Sequence, residues 1–370
     1  MKIVLLCWRD STHPQGGGSE RYLERVGEYL AERGHEVIFR SSAHTDAPRK
    51  SVRNRVTYRR GGGKYGVYVT TWLELLAGRV GLGPLRGAEA IVDTQNGIPF
   101  FARLVAGVPT VLLTHHCHRE QWPVASPVIA RVGWWLESRV APLVYRGAPY
   151  VTVSESSRAD LEALGVSGAR IIANGVDPLP ELSPLAPDDG KTHLVTLSRL
   201  VPHKQVEHAI ALLHQLPETV VLDVIGDGWW ADQLRAFTEK QQLTERVRFH
   251  GQVSEDYKHA LLSRASLHLM PSRKEGWGLA VIEAAQHGVA TIGYAQAGGL
   301  RDSIEDGVTG VLVGDESELG PTVVGLLNDA SRRQRLGEAA RALSARFSWD
   351  ETGAQFERLL RDLVHETPAS

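Results

Sequence analysis

Two carboxylates eight residues apart, Glu275 and Glu283, lead the candidates for chemistry in this chain. They stand in the string Pro271-Ser272-Arg273-Lys274-Glu275-Gly276-Trp277-Gly278-Leu279-Ala280-Val281-Ile282-Glu283-Ala284. Glu275 falls in a glycine-flanked loop and Glu283 one to two turns into a helix, so both can face one ligand. The backbone amides of Gly278–Ala280 open that helix and suit phosphate oxygens. A second string, Ser198-Arg199-Leu200-Val201-Pro202-His203-Lys204, follows a strand and carries two cations five residues apart. A forked guanidinium and a point-charge ammonium suit a diphosphate. A third, Gly16-Gly17-Gly18, lies between a strand and a helix, where backbone can approach an anion closely. Its spacing is not G-x-G-x-x-G, which argues against a nicotinamide dinucleotide. Taken singly, the glycine run is also a tight turn and the cations are also solvated surface groups.

Thr114-His115-His116-Cys117-His118 invites a metal. Adjacent histidines at a strand end point in different directions, however, and no Cys-x-x-Cys accompanies them. The expectation is therefore no metal site and one histidine facing a ligand as a hydrogen-bond donor. Asn174-Gly175-Val176-Asp177 reads as a turn whatever the function.

These strings need strand ends to carry them, and the apolar pattern supplies two series. Lys2–Trp8, a glycine loop, helical spacing from Tyr22 to Leu30, and Glu36–Arg40 read as β–loop–α–β. Further strands fit Ala90–Asp93, Thr110–Thr114 and Tyr150–Ser154. After Asp177 the chain turns proline-rich and acidic, and then a new series opens at His193–Leu197. Its strands are Val220–Gly226, Arg246–His250, Leu267–Met270, Ala290–Gly293 and Gly310–Val313. Its helices are Val206–Leu216, Ala231–Gln242, Tyr257–Ser263, Ala280–His287 and Leu319–Leu327. The expected organisation is an α/β domain over 1–178, a linker over 179–192, a second α/β domain over 193–347, and a last helix with a tail over 348–370. Ligands of such sheets sit beyond the carboxyl ends of the strands.

Composition narrows the function. The chain has 370 residues, 42% hydrophobic and 23% charged, which excludes bulk disorder and coiled coil. Net charge is −2, but residues 1–178 hold 22 Lys/Arg against 16 Asp/Glu, so the first half is the one to face an anionic partner. Two cysteines allow no disulfide scaffold and point to a reducing compartment. No 18-residue apolar run predicts a membrane span. Near-neutral charge and the lack of an aromatic–basic motif give no support for nucleic-acid binding. Trp122, Trp134 and Trp135, with Arg119, Arg131, Arg139 and Arg146, mark the region around 123–145 as a membrane-surface or lipid-phosphate contact, or else as an ordinary core helix.

Together the strings resemble glycosyltransferase family four, retaining enzymes of the GT-B fold. The resemblance runs nearly end to end, through Pro14–Glu20, Gly34–Val37, Val153–Ser156, Asn174–Asp177, Ser198–Lys204, Ile225–Gly228, Phe249–Gly251, Pro271–Ala284, Ala297–Leu300 and Asp306–Gly310. It implies two Rossmann-like doubly wound domains facing across an interdomain cleft. It implies that Arg199 and Lys204 hold the diphosphate of a UDP- or GDP-linked sugar, with amides of Gly17 and Gly18 towards the same group. Glu283 would bind the ribose, and Glu275 the donor sugar near the reacting carbon, beside the backbone of Gly276, Trp277, Gly278 and Leu279. His115 matches the family's sugar-bonding histidine, with His116 next in line. A hexose would pass to a hydroxyl acceptor, lipid-linked or on a cell-envelope glycan. No cofactor is expected beyond the nucleotide-sugar co-substrate. The implied location is cytoplasmic, at the inner face of the membrane through peripheral contact. The alternatives are a non-catalytic nucleotide-sugar-binding protein or a sugar-nucleotide epimerase. The chain departs from the family at Gln205, where glycine is usual, at His203, at Trp277 in place of phenylalanine, and at Trp229-Trp230.

Overall fold

A computed structural model describes residues 1–13, 16–117, 127–185 and 189–366. The chain divides into two compact units, one formed by Met1–Gly175 with Ser348–Ser370, the other by Val176–Phe347.

In the first unit, short runs of branched apolar residues make β1 (Lys2–Leu6), β2 (Glu36–Ser41), β3 (Lys50–Arg53), β4 (Val56–Arg60), β5 (Ala90–Gln95), β6 (Thr110–Thr114), β7 (Tyr150–Thr152) and β8 (Arg170–Ile171). They pair in the order β3-β4-β2-β1-β5-β6-β7-β8. Only the β3/β4 pair among them is antiparallel. β5 and β6 are buried at every position, as strands are when helices cover both faces of a sheet. The β3–β4 hairpin has no counterpart among the expected elements. β3 is an edge strand with one large apolar residue, Val52, and that side chain is exposed. Asn54 and Arg55, both at positive φ (48° and 65°), close a two-residue turn of the handedness that hairpins favour. Fully buried Asp10 ties three strand ends together, accepting from Arg60 Nε (2.6 Å) and Ser41 Oγ (2.9 Å).

The helix Gly18–Glu32 lies against the last helix, Trp349–Glu366. Tyr22 sets its ring edge-on to Trp349 and Phe356. Gly353 permits the approach: a Cβ there would sit 2.2 Å from Tyr29 Cγ. Glu357 adds a buried bond to His35 Nε2 at 3.1 Å.

In the second unit β9 (Thr192–Leu197), β10 (Val220–Ile225), β11 (Val247–Gly251), β12 (Leu267–Met270), β13 (Thr291–Tyr294) and β14 (Gly310–Val313) form a parallel sheet in the order β11-β10-β9-β12-β13-β14. Leu194, Leu222, Leu269 and Ile292 from the sheet pack with Ile210 and Leu213 beside them. The order runs outward both ways from β9, which is the doubly wound pattern, and it reverses between β9 and β12. The proline-rich stretch bonds within this unit, Ser183 to Asp256 and Asp189 to Arg248 (2.6 Å). The helix expected over Val206–Leu216 is α-helical only to Ala211 and then tightens into a 3₁₀ turn, Leu212–Gln215. A further helix, Ala330–Ser344, escaped the apolar pattern because it buries little beyond Leu336 and Ala340.

Asp93, at β5, is fully buried, and burial pushes its carboxyl up to about 6 although Tyr145 Oη and the amides of Phe100 (2.9 Å) and Ala102 (3.0 Å) donate to it. Between the ordinary value of 3.8 and 6 the native state holds a proton that the unfolded chain has released. This group's contribution to stability is therefore present below that window and lost as pH rises through it. Wild type should lose stability relative to Asp93→Asn by up to about 3 kcal/mol between pH 4 and 6 and then level off. Urea midpoints of both proteins across pH 4–8 measure this, and a constant difference contradicts it.

Candidate functional site

β9 and β12 are neighbours, so the loops after them start side by side. Ser198–Lys204 follows β9, and its end winds into a 3₁₀ turn, Pro202–Lys204. Pro271–Gly278 follows β12. The Arg273 amide donates to the His203 carbonyl at 2.8 Å, stitching one loop to the other. Lys204 Nζ donates to Glu275 Oε1 at 2.5 Å, with both side chains largely buried. Two residues to which the resemblance gives separate tasks are thus one ion pair. Such a pair offsets part of the cost of removing each charge from water. Arg199 is exposed on the same loop.

The helix Leu279–Gln286 begins on Gly278, whose φ of +93° suits glycine and whose Cβ would press 2.8 Å from Ser303 Oγ. No side chain caps this helix start, and its first amides have no intrahelical acceptor. Gly299 packs beneath the loop, where a Cβ would lie 2.7 Å from the Glu275 carbonyl, and its amide bonds that oxygen at 3.1 Å. Trp277 is buried, edge-on to Phe347 at 4.9 Å, so it offers this loop its backbone and not its indole.

Glu283 bonds elsewhere. Its Oε1 accepts from Lys258 Nζ at 2.8 Å, and the same ammonium reaches Glu255 at 2.8 Å. Burial pushes the Glu283 carboxyl up and Lys258 opposes the shift. Neither Lys258 nor Glu255 stood out in the sequence, where their three-residue spacing is that of any surface helix. Glu255, His259 and Glu283 also bring possible metal-ligand atoms within 4.8 Å of one another, although the ammonium already joins the two carboxylates. Of the residues that depart from the family, Trp230 Nε1 donates to Glu207 (2.5 Å), while Trp229 is half exposed.

The candidates of the first unit form a separate set. The Gly17 amide donates to buried Glu20 Oε2 (2.8 Å), and Arg9 Nε bonds the other oxygen (3.1 Å). Gly18 is exposed at the helix start. His115 follows β6 and is buried, its ring edge-on to Tyr22 at 5.0 Å and its carbonyl accepting from Ser157 Oγ at 2.7 Å. His116 is half-buried, and Cys7 and Cys117 are both buried. His118, Arg119 and Trp122 lie outside the described residues, as do Pro14 and Gln15.

Gln205 shows why glycine is usual at its place. It caps the short helix Val206–Ala211 in the left-handed region, φ 48° and ψ 41°, and its buried Oε1 has no hydrogen-bond partner. A left-handed non-glycine residue costs roughly 1–2 kcal/mol. Gln205→Gly should raise the melting temperature by about 2–4 °C per kcal/mol relieved, read by calorimetry. A lowered midpoint would contradict that account.

Comparison with known proteins follows the same division. Residues 16–178 match the family described as Glycosyltransferase Family 4, and residues 181–343 match Glycosyl transferases group 1. A glycogen synthase of Mycobacterium tuberculosis is 31% identical over 94% of this chain and 92% of its own length. A phosphatidyl-myo-inositol mannosyltransferase of Mycobacterium leprae is 31% identical over 100% of this chain and 98% of its own. Among solved structures, sucrose-phosphate synthase from Thermosynechococcus elongatus superposes with a TM-score of 0.83 at 20% identity, covering 99% of this chain and 100% of that one. HepE from Anabaena, crystallised with UDP-glucose, gives a TM-score of 0.77 at 18% identity over 98% of this chain and 100% of its own. With two parallel-sheet units of this topology and relatives matched along nearly their whole length, the chain belongs to glycosyltransferase family 4, enzymes of the GT-B fold.

Proposed function

We propose that this glycosyltransferase moves a hexose from a UDP- or GDP-linked sugar to a hydroxyl acceptor with retention of configuration. The observation that carries the reading is the convergence, at the ends of β9 and β12, of Arg199, the Lys204–Glu275 pair and the uncapped helix start at Gly278. The anomeric C–O bond to phosphate breaks, and its electron pair leaves with the nucleoside diphosphate. Arg199, Lys204 and the helix-start amides supply positive charge where that negative charge develops. The acceptor oxygen bonds to the anomeric carbon on the same face, and its proton passes to a phosphate oxygen. No side-chain nucleophile or metal ion is needed for that balance. Glu275 meets the donor sugar and Glu283 the ribose. In the first unit, the family resemblance gives His115 to the sugar and the Gly18 amide to the diphosphate, while the Gly17 amide is taken by Glu20 Oε2. That HepE was crystallised with UDP-glucose supports a nucleotide-sugar donor here.

The acceptor reading is a lipid-linked or cell-envelope hydroxyl, reached by peripheral contact with the cytoplasmic face of a membrane. No described helix is long and apolar enough to cross one. The support lies in side chains of the first unit left in water. Tyr65, Val69, Leu73 and Leu76 recur every three or four residues along the helix Gly63–Arg79 and are 43–74% exposed. Ile129, Val132 and Trp135 do the same on Pro127–Trp135, with Arg131 exposed among them. Apolar residues beside cations suit an anionic lipid surface.

A thermal-shift panel with UDP, GDP, ADP and their sugar conjugates tests the donor. A ligand at a hundred times its Kd adds about 2.7 kcal/mol, a shift of a few degrees. One nucleotide family should stabilise the protein, and Arg199→Ala or Lys204→Ala should abolish the shift and cut transfer at least tenfold. No shift with any nucleotide overturns the donor reading, and binding without transfer to any acceptor favours a non-catalytic binding protein. For the membrane, co-sedimentation with phosphatidylcholine vesicles containing 30% phosphatidylglycerol (about a third of the lipid anionic) should retain wild type at low salt and lose Val69→Glu/Leu73→Glu. Equal recovery of both proteins contradicts the surface.

A further inference from the structure

Glu283 takes its hydrogen bond from a lysine on another helix. Lys258 lies one turn into Glu255–Arg264, and its stem crosses to the neighbouring Leu279–Gln286. Its side chain is only 10% exposed, and its ammonium stands between an open carboxylate and a buried one, Glu255 at 62% and Glu283 at 17% exposure. On the far side His259 Nδ1 and His287 Nε2 are 2.8 Å apart. Burial pushes both rings down to about 4, so neither brings a charge at neutral pH. Glu255 and Asp177 act on Glu283 in the same sense as burial, and Lys258 alone opposes them. The bond occupies Oε1, while Oε2 has no hydrogen-bond partner among the described residues.

We propose that Lys258 is the positioning residue for Glu283, pinning Oε1 so that Oε2 is held ready for the ribose hydroxyls of the donor nucleotide. The inference rests on the reading of Glu283 as the ribose holder. A vicinal diol donates two O–H groups, and an ionised carboxylate accepts both, whereas a protonated or rotated one does not. Without the ammonium, a carboxylate mostly out of water has nothing to hold its charge or its torsion. Lys258 itself touches no substrate in this account.

The test compares each ribonucleotide with its 2′-deoxy form, because discrimination at that hydroxyl is something a merely structural lysine would not change. UDP, GDP and ADP and their 2′-deoxy counterparts are titrated calorimetrically into wild type, Lys258→Met, Lys258→Arg, Glu283→Gln and the double variant Lys258→Met/Glu283→Gln. Wild type should prefer the ribonucleotide by about tenfold to a hundredfold, the value of a hydrogen bond to a charged group. Lys258→Met should bring that ratio close to one while keeping the deoxynucleotide affinity within about threefold, a change under 1 kcal/mol. Lys258→Arg should restore most of it. The double variant buries no lone charge and should match Glu283→Gln alone. Discrimination lost in Glu283→Gln but kept in Lys258→Met overturns the positioning role, as does an additive loss in the double variant. Discrimination kept in Glu283→Gln, or no ribonucleotide bound by wild type, overturns the ribose reading beneath it.

Discussion

β9 and β12 lie side by side although 69 residues separate the end of one from the start of the other, and the second unit's chemistry hangs from that adjacency. Right-handed crossovers send the chain to one face of the sheet after β9 and to the other after β12. The loops leaving those strands diverge, and the space between them is left for a ligand. Ser198–Lys204 and Pro271–Gly278 are held at that fork by the Arg273–His203 backbone bond and the Lys204–Glu275 ion pair. Gly299 beneath Glu275 fixes the loop from below, since any side chain there would collide with its backbone.

Each carboxylate of the eight-residue pair has an ammonium of its own, Lys204 for Glu275 and Lys258 for Glu283. Both acids are largely buried, and a lone buried carboxylate takes up a proton or turns away. The lysines hold two acids in ion pairs close to the start of one helix. Their sequence distances from their partners, 71 and 25 residues, show that the fold and not the local string assembles these pairs.

That difference explains what was legible in the sequence. Strand-end loops such as Ser198–Lys204 and Pro271–Ala284 announced themselves because glycines, cations and acids crowd into a few residues after an apolar run. Parallel strands buried on both faces, such as Thr110–Thr114, were readable because nearly every residue is apolar or small. Lys258 was not, since a lysine three residues after a glutamate on a helix looks the same whether it faces water or another helix. The β3–β4 hairpin escaped because an edge strand needs no apolar face. The exposed row on Gly63–Arg79 carries the spacing of an ordinary core helix, and only the fold shows which face is buried. Gln205, read as a departure from the family, became intelligible only once its left-handed backbone was known.

The last helix belongs to the unit that the chain built first, and the whole second unit is made in between. A ribosome releases residues in order, and domains generally fold as they emerge. The first unit therefore spends the synthesis of Val176–Phe347 without the helix that carries Phe356 and covers Tyr22 and Tyr29. During that interval an aromatic patch stands open on a nearly finished sheet domain. The window closes only once that helix has been made, so of the two units the one begun first is the one finished last, and a chain stalled or cut before Trp349 leaves it unfinished.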